Sequence, residues 1–417
     1  MSVLAPGRPA PADRRARIAV AALFLTNGAL FANLVPRLPQ IKGDLGLDNA
    51  VYGLVVAAFP AGAITAGLAA GVLIRRFGSA QMAVAGTVLT GLGILVAVLV
   101  SSPLALAALL FVAGAADAIT DVAQNVHGLR VQRRYHRSII NSFHALWSVG
   151  AVLGGSMAAA AIALGVSRGL HLGTSMVLFS AVAFVALRFC LPGPDEGPRD
   201  AHGSGDASRR SGIGARTVLV LTALVLIAMG GTLVEDAGSS WATLYLSVER
   251  GAPVALAAAG YIALVGAQFV GRMLGDRFVD RFGQRAVARA GGLLLALGMG
   301  LALAFPTVPG TVAGFAAAGF GVATLVPAAM HEADELPGLR AGTGLTVVSW
   351  LMRLSFLLSP PLIGLLSEAT SLRLGLFIVP AAGVVVVLLA GVLRPRVPNG
   401  PEAGAEPEAG AERAAPR

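Results

Sequence analysis

The sequence predicts an all-helical membrane protein with twelve spans arranged in two halves of six. Of its 417 residues, 56% are hydrophobic and only 13% are charged, about half the charged fraction of an ordinary soluble protein. The apolar residues fall into repeated runs of about 20, each long enough to cross a bilayer as a helix. A related loop sequence also occurs at matching places in both halves. Together these observations argue against a soluble globular fold.

The predicted helices follow the apolar runs in order along the chain. The first six are expected at 18–38, 51–74, 80–101, 103–129, 138–165 and 169–191, forming an N-terminal bundle over 18–191. The other six are expected at 216–247, 254–279, 286–305, 309–331, 341–367 and 372–393, forming a C-terminal bundle over 216–394. Polar composition predicts a leader at 1–17, a solvated linker at 192–215 and a disordered tail at 395–417.

The distribution of basic residues predicts that both termini are cytoplasmic. Short cytoplasmic loops carry an excess of Lys and Arg, and most of the 31 basic residues then lie inside. The outer loops hold Arg37, Lys42, Arg168, Arg250 and Arg373. The net charge of +9 therefore indicates topology rather than binding to nucleic acid. We expect a multi-pass protein of the bacterial inner membrane, and the single Cys190 leaves no intrachain disulfide.

Two loops carry the repeated sequence, one after the second predicted helix and one after the eighth. The first contains Gly71, Arg75, Arg76 and Gly78, and the second contains Asp276, Asp280, Arg281, Gly283 and Arg285. Matching loops after equivalent helices predict a duplicated six-helix unit.

These loops resemble the motif Gly-x-x-x-Asp-Arg-x-Gly-Arg/Lys-Arg/Lys of the major facilitator superfamily of secondary transporters. The resemblance implies that family's fold, with alternating access between the halves. It also implies a cytoplasmic gate formed by Gly71, Arg76, Gly78, Asp276, Asp280, Arg281, Gly283 and Arg285. The C-terminal copy is the more complete, because Arg75 replaces the motif's Asp in the N-terminal copy.

Three stretches, at 36–42, 142–148 and 236–246, are similar to YbjJ-type bacterial permeases. This similarity implies a small polar solute. Gly150, Gly154 and Gly155 resemble the helix-5 glycine series of efflux antiporters, but the proline of that pattern is missing. Export of a hydrophobic drug or natural product by proton antiport is therefore the alternative to uptake, and the direction of transport stays open.

Ionisable residues inside spans are costly and are functional candidates by default. Asp117, Asp121 and Asn125 form one stripe on the fourth predicted helix, because residues four apart share a face. His144, about two turns into the fifth helix, is expected at the depth of Asp121. The pair is expected either to exchange a proton during transport or to form a static hydrogen bond between helices.

Glu235 and Asp236 are adjacent on the seventh predicted helix and point about 100° apart. One is expected to face the central cavity, and the other to bond a neighbouring helix or to meet water. Both are proton-coupling candidates, and either is a candidate partner for Arg353, whose alternative partner is an anionic substrate. Asn27 and Asn33 on the first helix are expected to line the site between the halves.

Other polar and aromatic residues complete the expected cavity. Gln268 and Trp350 are candidates for lining it, together with Asn27, Asn125 and Arg353. Trp147 is a weaker candidate, whereas Trp241 and Tyr245 are expected to be interface anchors or part of a gate. Four glycine pairs are expected to allow close helix packing. They are Gly67/Gly71, Gly150/Gly154, Gly271/Gly275 and Gly310/Gly314.

The expected function is secondary active transport of a small organic solute, coupled to protons. We expect no enzymatic activity, no catalytic residue, no cofactor and no nucleic acid partner, and we expect a monomer in the lipid bilayer. No phosphate-binding loop for ATP is present in the sequence. His331, Glu332, Asp334 and Glu335 cluster at one helix end, but their spacing does not predict a metal site. The rival classes are a non-transporting receptor or scaffold and an intramembrane enzyme.

Overall fold

The computed structural model describes residues 10–135, 139–193, 214–339 and 343–394. Within these residues all regular structure is helical, and twelve helices are long and apolar enough to cross a membrane. The predicted fold class and number of spans are therefore confirmed. The residues predicted as linker and tail lie mostly outside the described ranges.

Six helices form the N-terminal half. Their bounds are α1 Pro11–Leu34, α2 Asn49–Phe77, α3 Ser79–Ala97, α4 Pro103–Tyr135, α5 Ile140–Ala163 and α6 Arg168–Leu187. Six more form the C-terminal half. They are α7 Ala215–Leu244, α8 Val254–Phe282, α9 Gln284–Ala304, α10 with segments Val308–Val322 and Leu325–Asp334, α11 Thr343–Ala369, and α12 with segments Leu372–Gly375 and Ile378–Leu389.

The first helix differs from its prediction at both ends. It begins at Pro11, inside the predicted leader, because proline is suited to the first turn of a helix. Asp13 in that turn forms an ion pair of 3.2 Å with Arg134 at the end of α4. Beyond Leu34 the chain continues as a short 3-10 turn and a helix over Leu38–Asp44.

Four helix starts at the end of the bundle opposite the termini, called the outer end here, are capped by side-chain oxygens. Asp48, Ser167, Thr307 and Ser371 each accept a hydrogen bond from a backbone N–H in the first turn of α2, α6, α10 or α12. Each cap satisfies a donor that the helix leaves free, so it fixes where the span begins.

The two halves repeat the same packing scheme. In the N-terminal half α1 packs on α5 and α6, α2 on α4, and α3 on α4 and α6. The corresponding pairs recur in the C-terminal half, where α7 packs on α11 and α12, α8 on α10, and α9 on α10 and α12. The glycines of the two repeated loops also match, since Gly78 and Gly283 have φ of 89° and 81°. These equivalences support the predicted duplication.

The halves meet through two equivalent contacts, α2 with α11 and α5 with α8. At the outer end of the first contact, a Cβ on Gly53 would lie 2.3 Å from the Pro360 carbonyl oxygen, so the two backbones touch. The Asn49 N–H also donates a hydrogen bond of 2.9 Å to Glu368 Oε2. We call this contact of α2 with α7 and α11 the outer gate, and it is closed in the structure.

Candidate functional site

Asn27 on α1 joins three helices of the N-terminal half. Its amide nitrogen donates a hydrogen bond of 2.7 Å to Asp117 Oδ1 on α4. Its amide oxygen accepts one of 2.9 Å from Trp147 Nε1 on α5. Because both ends of one amide are used, the orientation of Asn27 is fixed. The structure thus brings Asn27 and Asp117 together and adds Trp147, a weaker candidate from the sequence, as the third member.

Asp121 lies one turn beyond Asp117 on α4 and is half-buried. Asn125 Nδ2 donates to Asp121 Oδ1 over 3.1 Å, so the predicted stripe is present as a contact within the helix. The charges of His144 on α5 and Arg353 on α11 both act on this carboxylate. Asp121 therefore stands within electrostatic reach of groups from both halves.

His144 does not form the static hydrogen bond that was one of its two predicted arrangements. Among the described residues, no hydrogen bond joins its ring to Asp121. The imidazole is exposed and packs edge-on against Phe24, with the ring centroids 5.2 Å apart.

Glu235 is the acid of the C-terminal half that reaches polar partners on a neighbouring helix. Gln268 Nε2 on α8 donates a hydrogen bond of 2.9 Å to Glu235 Oε2. Arg272 Nη2, one turn further along α8, lies 3.7 Å from the same oxygen. Arg272 lies within the predicted eighth helix, 254–279, but the sequence analysis did not single it out as a partner for an acid. Of the partners considered for Arg353, Glu235 is therefore engaged by Gln268 and Arg272 instead.

Arg353 makes no ion pair within 4.0 Å among the residues that the structure describes. Its exposed side chain acts on Asp121 across the space between the halves. Trp350, one turn earlier on α11, is 54% exposed.

Asp236 is 7% exposed and points away from Glu235, into the outer gate. Ser240 Oγ lies 3.4 Å from Asp236 Oδ1, and the charge of Asp236 acts on Tyr52 of α2. Tyr52 donates a hydrogen bond of 2.7 Å to the Ser240 carbonyl and packs edge-on against Trp241. Trp241 and Tyr245 are fully buried, so the expectation of interface anchors is wrong for both, and Trp241 belongs to the gate.

A buried polar network near the outer end was missed by the sequence analysis. His171 Nε2 lies 2.8 Å from Asn33 Oδ1, and Arg37 Nε donates to His171 Nδ1 over 3.4 Å. Because Arg37 donates to Nδ1, the imidazole is neutral and its Nε2–H donates to Asn33. Asn33 therefore joins α1 to α6 and does not line the site between the halves. The available signal for this network was Arg37 in a proline-rich stretch. In the sequence analysis that stretch was interpreted as an outer loop.

The repeated loops show matching geometry at the end of the bundle that holds the termini. The Arg76 guanidinium lies 5.4 Å from the Phe77 ring centroid, and that of Arg281 lies 5.5 Å from the Phe282 centroid. Arg285 Nε donates to the Leu393 carbonyl over 2.8 Å. Asp280 is exposed, and no ion pair joins it to another described residue. Asp276 lies on α8, but its side chain is outside the described part of the structure.

The charged end of α10 is held by an arginine. Arg394 Nε contacts Glu332 Oε1 at 3.1 Å, its Nη1 contacts Glu335, and these two carboxylates raise the pKa of Arg394. His331 lies 3.8 Å from Glu335. Within the described ranges, no group of three His, Cys, Asp or Glu side chains is arranged to hold a metal ion.

Three curated relatives align along nearly the whole chain. The "Uncharacterized transporter y4wD" of Sinorhizobium fredii is 30% identical over 379 residues, covering 90% of this chain and 97% of the relative. An uncharacterized MFS-type transporter of Yersinia pestis is 28% identical, covering 88% and 92% of the two chains. The membrane protein MosC of Rhizobium meliloti is also 28% identical, covering 90% and 89%.

Solved transporters share the fold at low sequence identity. A bacterial homologue of the lysosomal transporter Spinster superposes with a TM-score of 0.71 at 15% identity, covering 92% of this chain and 98% of that one. A D-xylose–proton symporter gives 0.67 at 16% identity, with 91% and 96% covered. The nucleoside transporter NupG gives 0.63 at 13%, with 92% and 96% covered.

A family model matches the sequence over residues 20–279 and again over 265–416, which together span both halves. Its description is Major Facilitator Superfamily, a family of transporters rather than enzymes. The matched ranges contain every polar cluster described above, from Asn27 to Arg353. The chain belongs to the major facilitator superfamily.

Proposed function

We propose that this protein moves a small polar organic solute across the bacterial inner membrane by alternating access and couples that movement to protons. The observation that carries the proposal is the arrangement around Asp121. This carboxylate from α4 stands within electrostatic reach of His144 in its own half and of Arg353 in the other half. A solute between the halves would therefore meet the same charges that hold the proton.

Two polar clusters flank this arrangement and define the proposed binding site. The Asn27 amide holds Asp117 in the N-terminal half, and Gln268 and Arg272 hold Glu235 in the C-terminal half. Equivalent helices, α1 and α7, supply Asn27 and Glu235. Sites at the interface of repeats are the expected place for solute and coupling ions. Charged and amide groups on both sides favour a polar solute over a hydrophobic one.

The proposal also specifies the orientation of the protein in the membrane and its conformational state. With both termini in the cytoplasm, the closed outer gate faces away from the cytoplasm and the exposed side chains of His144 and Trp350 face the cytoplasmic half. The repeated loops with Gly71, Gly78, Asp280 and Arg281 are the proposed cytoplasmic gate. We also retain the similarity to YbjJ-type permeases and a monomeric state as parts of this proposal.

The test compares accumulation driven by a pH gradient in proteoliposomes with exchange at equal pH. The solute is first identified by thermal stabilisation in a screen of sugars, amino acids, small carboxylates and lipophilic cations, because a ligand of the folded state raises its stability. A gradient of two pH units stores about 2.7 kcal/mol per proton, enough for about a hundredfold accumulation at one proton per solute.

Asp121→Asn is expected to abolish this accumulation and to preserve exchange of bound solute, because Asn cannot carry a proton. The matched control is Asp44→Asn, an acid of the outer end that pairs with Arg168 and is remote from the site. Unchanged accumulation by the Asp121 variant would refute the coupling role. Stabilisation by lipophilic cations alone would instead favour a drug exporter, and the direction of accumulation shows import or export.

A further inference from the structure

Asp236 is a buried acid whose charge no basic side chain of the described residues neutralises. It is 7% exposed, and Asp236 Oδ2 has no hydrogen-bond partner among the described residues. The groups that face it are Ser240 and Glu235 on α7, Ser359 on α11 and Tyr52 on α2. None of them carries a positive charge. A bare carboxylate in this position would be strongly destabilising, so a cation must accompany it.

The surroundings of Asp236 offer unused oxygen atoms. Ser359 on α11 is 1% exposed and faces Asp236, and among the described residues its hydroxyl has no hydrogen-bond partner of regular geometry. Ser240 contacts Asp236 Oδ1 at 3.4 Å, a separation longer than an ordinary hydrogen bond between oxygens. Carboxylate and hydroxyl oxygens are hard ligands, which suit a proton or a small metal cation.

Asp236 is buried because the outer gate is closed. Tyr52 of α2 covers it through the hydrogen bond to the Ser240 carbonyl and through its edge-on contact with Trp241, at 4.9 Å between ring centroids. The backbones of α2 and α11 touch beside it at Gly53 and Pro360. Withdrawal of α2 would open Asp236 to water from the outer side, where its carboxylate can ionise without a partner.

We propose that Asp236, Ser240 and Ser359 form a binding site for one small monovalent cation, a proton or Na⁺, which is occupied when the outer gate closes. The site deepens the proposed function and rests on it, because it supplies the step that ties ion uptake to the conformational change. It is separate from Asp121, which lies between the halves on α4.

Gate closure can be measured directly by the distance between two spin labels. The labels are attached at Ser101→Cys in the N-terminal half and Ala369→Cys in the C-terminal half, both exposed at the outer end, in a Cys190→Ser background. The protein is held in lipid nanodiscs without added solute. One series lowers the pH in sodium-free choline buffer, and the other adds NaCl at fixed high pH.

In the spin-labelled protein that keeps Asp236, the outer gate is expected to close as one of the two cations is added. If binding occurs only in the closed state, each tenfold rise in cation above its dissociation constant favours closure by about tenfold. A response to pH alone identifies the proton, and a response to NaCl at fixed pH identifies Na⁺. In the Asp236→Asn variant the side chain at this position is neutral without a cation. The outer gate of this variant is therefore expected to stay closed under every condition. A gate that ignores both cations, or an Asp236 variant that responds like the unchanged protein, overturns the proposal.

Two further variants separate this proposal from the coupling role of Asp121. Ser359→Ala is expected to move the midpoint of closure to about tenfold higher cation, because one oxygen ligand is lost. An unmoved midpoint contradicts the site even if the Asp236 variant does not fold. Asp121→Asn is expected to keep the response of the gate while losing accumulation. Loss of that response in the Asp121 variant would place the gating cation at Asp121 and overturn the site at Asp236.

Discussion

At the scale of single residues, the amide of Asn27 joins α1, α4 and α5 through two short hydrogen bonds. Trp147→Phe removes the donor of one of them and leaves Asn27 Oδ1 without its partner. A buried acceptor that loses its partner costs about 1–3 kcal/mol. We therefore expect the Trp147→Phe variant to have a lower melting temperature in detergent. The measurement is thermal unfolding followed by the fluorescence of a dye that does not react with thiols.

Trp350→Phe is the matched control for this change. Trp350 is 54% exposed and makes no hydrogen bond within the described residues. Its replacement is expected to change stability by less than about 0.5 kcal/mol, as is usual at exposed positions. Equal effects of the two substitutions would contradict the structural role of the Asn27 amide.

Cys190 gives a second prediction at this scale, through its pH dependence. Burial raises the pKa of its thiol from 9.0 to about 11, and the residue follows the end of α6, outside the span. Only the thiolate reacts with maleimide. Because its pKa is about two units higher, the Cys190 thiol has about a hundredfold less thiolate at neutral pH than an ordinary thiol has.

Labelling of the folded protein is therefore expected to be slow at pH 7 and to rise about tenfold per pH unit until pH 11. In denaturant the thiol is expected to react at its ordinary rate, and the pH dependence of that rate is expected to have its midpoint near pH 9. The measurement is the rate of maleimide incorporation by mass spectrometry between pH 7 and pH 11. An equally fast reaction of the folded and denatured protein at pH 7 would contradict the burial.

The sequence predicted the important side chains better than it predicted their partners. Asp117, Asp121, Glu235 and Asp236 stood out because ionisable groups inside apolar helices are costly. Which of them meet depends on the rotation and extent of each helix, and the sequence does not encode those in any one segment. Glu235 therefore pairs with Arg272, which the sequence did not single out.

At the scale of helices, backbone contacts at glycine hold the bundle together. A Cβ on Gly150 of α5 would lie 2.1 Å from the Leu25 carbonyl oxygen on α1, and one on Gly154 would lie 2.3 Å from that of Ala29. Backbone cannot move aside as a flexible side chain can. We expect Gly150→Ala to destabilise the protein by about 1–3 kcal/mol, the usual range for overpacking.

The control is Gly67→Ala on α2. A Cβ there meets nothing within 4 Å, so the Gly67/Gly71 pair does not form the close packing predicted from its spacing. Because alanine favours helix over glycine, this change is expected to be neutral or slightly stabilising. Thermal unfolding of the two variants side by side is the measurement. An equal fall in melting temperature would contradict the packing of α1 on α5.

Helix number and order followed from the apolar runs, whereas several helix ends did not. α10 is interrupted between Val322 and Leu325, although its sequence is apolar throughout. Local composition does not show where a span must bend to fit its neighbours. Four of the outer starts do carry a local signal, because an Asp, Ser or Thr cap marks them in the sequence.

At the scale of the whole molecule, equivalent contacts relate the two halves. α2 meets α11 and α5 meets α8, which the duplication makes equivalent. A symmetric pair of contacts allows the halves to rock without disturbing their own cores, since each half keeps its internal packing. The repeated loop motif predicted this duplication, but the closed state of the outer gate is visible only in the structure.

The central claim, alternating access, is tested most directly by tethering the outer gate. Asn49→Cys and Glu368→Cys, in a Cys190→Ser background, place two thiols where the Asn49 N–H now contacts Glu368. A short thiol crosslinker is applied in proteoliposomes, and uptake of the solute found by the stabilisation screen is measured before and after reduction. The account predicts that the crosslinked protein binds the solute but does not transport it, and that reduction restores transport. Full transport by the crosslinked protein would contradict it.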